Sequence, residues 1–290
     1  MAITTLAGVQ SGQQWTRQFH KQSAASLTAN ALYSSWKWAG YPDAGTQDYT
    51  TNDGITLSSS STPVLGQVDY RDPVSGNSYL ARLQASIQNN NAAYGGILFL
   101  CDRLWQCGKD HAGTAWDAGA AINSNITSPT WPARDNNGST NGEGVLLGIE
   151  IGTSKTFNAG AATITITYTN SAGTGSRTGG SARTIPTSGN AAVGYFIPIT
   201  LQAGDVGVRS VQNFTTSGAL FNATSNSTAQ LVAYRVIAAV DIQQSGYTGA
   251  IDALTSGFPT MSNGTVPFFL SAYNAAGIGY FFGSLMYSQG

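Results

Sequence analysis

Charge is what this sequence has least of. Lys and Arg number 13 and Asp and Glu 14 in 290 residues, 9% in all, where an average soluble domain carries about a quarter. The surface must therefore be built from Ser, Thr, Asn, Gln and small apolar groups. Free proteins rely on net charge for colloidal solubility, so such a chain suits a setting where neighbours cover much of it, as in an assembled shell or fibre. With a net charge of −1 and a pI of about 6.0, there is no basic field to hold phosphates. Nucleic acid is not an expected partner.

Chemistry-bearing residues are nearly as scarce. Cys101 and Cys107 are the only cysteines, too few for a disulfide-stapled scaffold. With Asp110 and His111 they make a cluster of metal-ligand character, but structural zinc sites favour a Cys-x2–4-Cys spacing and here five residues intervene. Two buried small hydrophobes are the expectation, with no metal and no cofactor. The histidines are His20 and His111, neither beside a Gly-x-Ser-x-Gly elbow. A glycosidase needs two carboxylates at a set distance, and the glutamates are only Glu143 and Glu150, the latter inside a strand-like alternation. Gly173–Gly179 lacks the Lys-Ser/Thr of a phosphate loop and reads as a hairpin tip. No catalytic residue is assigned, and the chain is not expected to be an enzyme.

Long apolar runs are missing too. Nothing approaches the roughly 18 residues of a membrane span, and the first residues lack the basic and apolar regions of a signal peptide. A soluble protein made in a cytoplasm is expected, with no membrane partner.

What is present is a period of two. Residues 79–87, 97–105, 145–151, 162–169, 193–201, 206–214, 229–240, 266–273 and 278–287 are rich in β-branched and aromatic side chains and are separated by Gly, Asn and Ser turns. In 163–169, Ile164, Ile166 and Tyr168 fall on one side and four threonines on the other, a half-buried antiparallel strand. The expected fold is all-β, an antiparallel sandwich of jelly-roll type, because no long amphipathic helix follows residue 60 to cross over between parallel strands. Residues 11–40 instead suggest helix, with Trp15, Phe19, Ala24 and Leu27 at roughly helical spacing. Residues 46–66 read as an extended loop. This divides the chain into an arm with its loop, 1–60, and a sandwich domain, 61–290. Trp15, Phe19, Tyr33, Trp36 and Trp38 make the arm unusually aromatic. They either pack on their own domain or dock the arm against another subunit.

Four stretches carry a resemblance: 34–45 (SSWKWAGYPDAG), 97–105 (ILFLCDRLW), 165–178 (TITYTNSAGTGSRT) and 279–290 (GYFFGSLMYSQG). They resemble virion structural proteins encoded beside the major capsid gene in tailed bacteriophages. The resemblance implies a capsid decoration or cement protein, assembled in the host cytoplasm and carried on the virion. Its partners would be the major capsid protein and further copies of itself, and it implies no catalysis. A rival reading is a receptor- or glycan-binding module of a tail fibre or surface layer, marked by clustered exposed aromatics such as Trp116 and Trp131.

Overall fold

The computed structural model describes residues 5–46, 51–59, 64–70, 72, 78–89, 93–109, 112–113, 116, 119–153, 155–158, 162–181, 185, 190–222, 229–257 and 259–289. In chain order the strands begin with β1 (Gln13–Leu27), β2 (Leu32–Ser34), β3 (Ala39–Tyr41), β4 (Ile55–Thr56), β5 (Ser78–Ile87) and β6 (Gly96–Cys107). There follow β7 (Asn123–Asn125), β8 (Val145–Ile151), β9 (Lys155–Thr156), β10 (Ile164–Asn170), β11 (Arg177–Ser181) and β12 (Asn190–Ala191). The last are β13 (Tyr195–Thr200), β14 (Val208–Thr216), β15 (Ala229–Ile242), β16 (Thr248–Asp252), β17 (Thr260–Met261), β18 (Pro267–Tyr273) and β19 (Gly277–Gln289). Two short helices, α1 (Leu6–Ser11) and α2 (Ala253–Ser256), complete the set.

Among the described residues strands make up more than half and the two helices hold only ten residues, against about a third helix in an average domain, so the fold is all-β. The register pairings are antiparallel throughout the described strands. Each of the nine stretches with a period of two contains a strand. The glycine-rich segment after β10 closes a hairpin, with Tyr168 opposite Arg177.

The chain forms two compact units. The first comprises Met1–Thr46, Ser58–Asp102 and Val236–Gly290, and the second Gln47–Leu57 and Arg103–Arg235; β6 and β15 contribute residues to both.

In the first unit one sheet runs in the order β16-β5-β19-β1-β3, with β17 also on β5. Its inward face packs on β18, which lies between β2 and β6. Phe19 of β1 meets Phe269 at 4.5 Å and Phe281 at 6.0 Å, and Phe269 meets Phe281 at 5.3 Å. Trp36 sits edge-on to Phe268, and Trp38 lies 5.9 Å from Phe281. This is a two-layer sandwich with an aromatic core. Trp36 is packed so closely that a Cβ on Gly45 would come 2.3 Å from its Nε1.

The helix expected across 11–40 is replaced by β1, which pairs with β19 from Gln13↔Gln289 to Leu27↔Gly277. Burial along it alternates strictly: Phe19, Lys21, Ser23 and Leu27 are buried while Gln18, His20, Gln22 and Ala24 are exposed. The inward positions include Arg17, Lys21 and Ser23, so the apolar residues alone do not show the period of two.

The second unit carries the order β15-β8-β13-β11-β10-β14-β7. Ile164, Ile166 and Tyr168 of β10 are buried, and Thr165 is exposed, as the alternation predicts. Its core holds Trp105 against Trp131, 5.3 Å between rings, and Trp116 edge-on to Phe214. Within this unit Arg103 of β6 donates Nη1 and Nη2 to the two carboxylate oxygens of Glu150 on β8, at 3.1 and 2.9 Å, and both side chains are fully buried.

Candidate functional site

Of the five aromatic residues singled out in the arm, Phe19, Tyr33, Trp36 and Trp38 are at most 2% exposed. Their rings belong to the core of the first unit and are covered by the chain's own strands. Trp15 is half-buried, with the Arg17 guanidinium 5.4 Å from its ring centre. Arg17 in turn forms an ion pair with Asp69. Trp116 and Trp131, the expected exposed cluster, are both buried, so the aromatic mark of a ligand face does not lie there.

Cys101 and Cys107 are buried and not joined in a disulfide, and the Cys107 thiol donates to the Lys109 carbonyl at 2.9 Å. Asp110 and His111 lie outside the described residues. Among the described residues no His, Cys, Asp and Glu group could hold a metal ion. Both oxygens of Glu150 are taken by Arg103. No helix among the described residues is long and apolar enough to cross a membrane.

Two surface features of the first unit remain. One lies at its β3 edge, where Tyr41, Pro42, Asp43, Val64, Leu65, Gln67 and Asp69 line a pocket of about 260 Å³. Tyr41 and Leu65, which line it, are 48% and 54% exposed. Gln67, which also lines it, is fully buried, and neither of its amide atoms has a hydrogen-bond partner among the described residues. The Asp69–Arg17–Trp15 contacts extend the patch along β1.

Beside it Lys21 reaches inward from β1, fully buried, and donates Nζ to the carbonyls of Trp38 and Asp43, each at 3.2 Å. Burial holds its ammonium down to about 8, against the opposing pull of the Asp43 charge. The folded pKa lies below the unfolded one, so between about pH 8 and 10 the unfolded chain binds more protons and stability rises with pH. Each unit of difference corresponds to about 1.4 kcal/mol. The melting temperature of the parent chain should therefore rise relative to a Lys21→Met variant across pH 8–9.5. Parallel pH curves for the two would show that Lys21 stays charged.

The other feature is the outward face of the same sheet. Register places Tyr41, His20, Phe282, Ser86 and Thr248 in one row across β3, β1, β19, β5 and β16. The next row carries Gln18, Ser284, Gln84 and Ala250. Tyr280 and Phe282, two apart on β19, project to this side with ring centres 5.7 Å apart. Short Ser86 and Ser284 between longer neighbours leave a cleft of about 530 Å³. A second, of about 510 Å³, is lined by Gln22, Gln88, Asn89, Gly277, Ile278 and Tyr280. Among the described residues no Asp, Glu, Lys or Arg lines either cleft, and His20 lines the first. Sequence reasoning missed this face because it assigned β1 to a helix, which puts Gln18 and Gln22 on one side and His20 on the opposite one.

No protein-family model matches the chain, and no curated protein matches it in sequence. Among solved structures, alignments are found to the infectious bursal disease virus VP2 subviral particle, with 10% identity over 99% of this chain and 83% of that one, at a TM-score of 0.20. The T=1 particles derived from the same virus align with 9% identity over 99% and 80%, at 0.19. Its Gt strain aligns with 8% identity over 96% and 81%, at 0.18. TM-scores of this size do not amount to a shared fold.

Proposed function

We propose that this chain is a non-enzymatic structural protein of a virus particle, of the decoration or cement type, which binds the outside of the major capsid lattice and stabilises the head. Copies of itself are its second partner. The observation that carries the reading is the β3-edge patch. Tyr41 and Leu65 line a small pocket whose buried Gln67 amide has no hydrogen-bond partner among the described residues, and half-buried Trp15 joins the patch through Arg17 and Asp69. Aromatic and apolar anchors seated at a pocket, with a polar surround, are how interfaces concentrate their binding energy. The scarcity of charge over the whole chain and the resemblance of its sequence point the same way. Of the arm residues, Trp15 is the one this reading places at the contact. Phe19, Tyr33, Trp36 and Trp38 hold the unit that presents it.

The test is co-sedimentation with undecorated capsid shells. A Tyr41→Ser, Leu65→Asp double variant should lose roughly tenfold or more in affinity, the effect of removing two anchor side chains, with its melting curve unchanged because both positions are exposed. Full occupancy by the double variant would remove the patch from the contact. Quantified virion proteomics should find hundreds of copies per particle; a handful would place the protein elsewhere on the virion.

A further inference from the structure

We propose that the outward face of the first unit's sheet is a binding groove for a neutral glycan. This does not rest on the capsid reading, which uses the β3-edge patch. The two clefts, about 530 and 510 Å³, both include Tyr280 in their walls, and each falls within the ~300–1,000 Å³ typical of ligand sites. Together they offer a continuous run along β19 rather than one closed cavity, the shape an oligosaccharide needs.

The lining chemistry selects the ligand. Tyr280 and Phe282 present two rings side by side, and aromatic faces are electron-rich and attract the C–H face of a pyranose. Around them stand the carboxamides of Gln18, Gln22, Gln84 and Gln88. Each offers two N–H donors and a carbonyl acceptor, matching hydroxyl groups that both give and accept. Among the described residues the linings hold no carboxylate, Lys or Arg, and His20 is the one basic side chain, which argues against phosphate, nucleic acid and acidic sugars, whose recognition needs clustered cationic partners. A protein partner fits less well. Stable protein interfaces need a well-packed apolar centre within roughly 1,000 Å² or more, whereas here two rings stand among amides and hydroxyls.

Sequence gives the site its rigidity. Phe282 is held between His20 and Ser86 in the register of β1 and β5, and Ser86 bonds Thr248 of β16 at 2.6 Å. The rings are thus carried on paired strands, and binding orders little that is not already ordered. A single site of this kind binds weakly, and several copies presented together would multiply it through avidity.

The experiment is titration of the full chain with neutral hexose and N-acetylhexosamine oligosaccharides, with sialylated and sulfated sets alongside, read by calorimetry and by saturation-transfer NMR. Binding of a neutral set is expected. Tyr280→Ala should weaken it by roughly tenfold, Phe282→Ala less, and Tyr280→Phe should restore most of it, since stacking rather than the hydroxyl supplies the contact. Phe282 is 41% exposed, so its variant should melt with the parent and serves as the control for folding. No neutral oligosaccharide bound at low-millimolar concentration, preference for sulfated or sialylated ligands, or binding indifferent to Tyr280→Ala would each overturn the proposal. If Tyr280→Ala left glycans aside and abolished capsid binding instead, the face would be a protein contact. Loss of capsid binding in a Leu65→Asp variant, whose position lines only the β3-edge pocket, would leave the glycan result untouched, so the two readings fail separately.

Discussion

Glu150→Ala should destabilise the protein by about 3–5 kcal/mol, the cost of stripping one partner from a buried ion pair. Arg103 and Glu150 are both fully enclosed, and the removed carboxylate accepts two of the guanidinium's hydrogen bonds. Gln106 accepts from Arg103 Nε at 3.0 Å, and a neutral amide cannot balance the charge. Arg134 adds a second guanidinium nearby, donating to the Arg103 carbonyl at 3.3 Å. The side-chain amide of Gln230, opposite Glu150 in the β8–β15 register, has no hydrogen-bond partner among the described residues. Globular domains have only about 5–15 kcal/mol of total stability, so the loss is a large share of the second unit's. Denaturant unfolding should show a lowered midpoint for the second unit alone. The paired change Arg103→Met with Glu150→Leu should recover most of the loss, because exchanging a whole buried pair for apolar residues is close to neutral. A single variant costing under about 1 kcal/mol would show that the pair is solvated in solution.

That pair marks where sequence reading stops. The strands containing Arg103 and Glu150 were legible from their alternation, and β8 spans 145–151 as expected. Which side chains meet across 47 positions is decided by the order of strands in a sheet, and no local pattern encodes that order. The same limit hid the glycan groove, whose Gln18, Gln84 and Phe282 come from three separate strands. Trp116 and Trp131 show the limit from the other side. Both stand outside regular strands, which suggests exposure, yet Trp131 is held inside by Trp105 and by its indole N–H on the Val208 carbonyl at 2.7 Å. Local signals were reliable where one face is apolar and the other is not, as in β10. They failed in β1, whose inward row mixes Phe19 with Lys21 and Ser23. Lys21 is tolerated there because two main-chain carbonyls receive its ammonium, an accommodation that only the folded chain reveals.

Deleting residues 1–40 should abolish cooperative folding of the first unit rather than release an independent sandwich. The deletion removes β1, which lies between β19 and β3 in its sheet, and leaves the β19 backbone unpaired along the register that ran from Gln289 to Gly277. An unpaired edge of that length is a template for aggregation. It also removes Phe19, Tyr33, Trp36 and Trp38, and uncovers the Phe269 and Phe281 rings they contact. Truncating one buried Phe or Trp to Ala costs about 3–5 kcal/mol, so losing these together exceeds the roughly 5–15 kcal/mol available to a domain. The expected result is insoluble protein, or soluble protein without a sharp thermal transition. Trp38→Ala alone should fold but melt well below the parent, at about the single-residue cost. A detachable docking arm requires the opposite outcome, a truncated chain that melts cooperatively and has merely lost its hold on capsids. In that case the contacts of Phe19 and Trp38 with Phe281 would contribute little to stability, and the point variant, which isolates one of these rings from the loss of the strand, would melt with the parent.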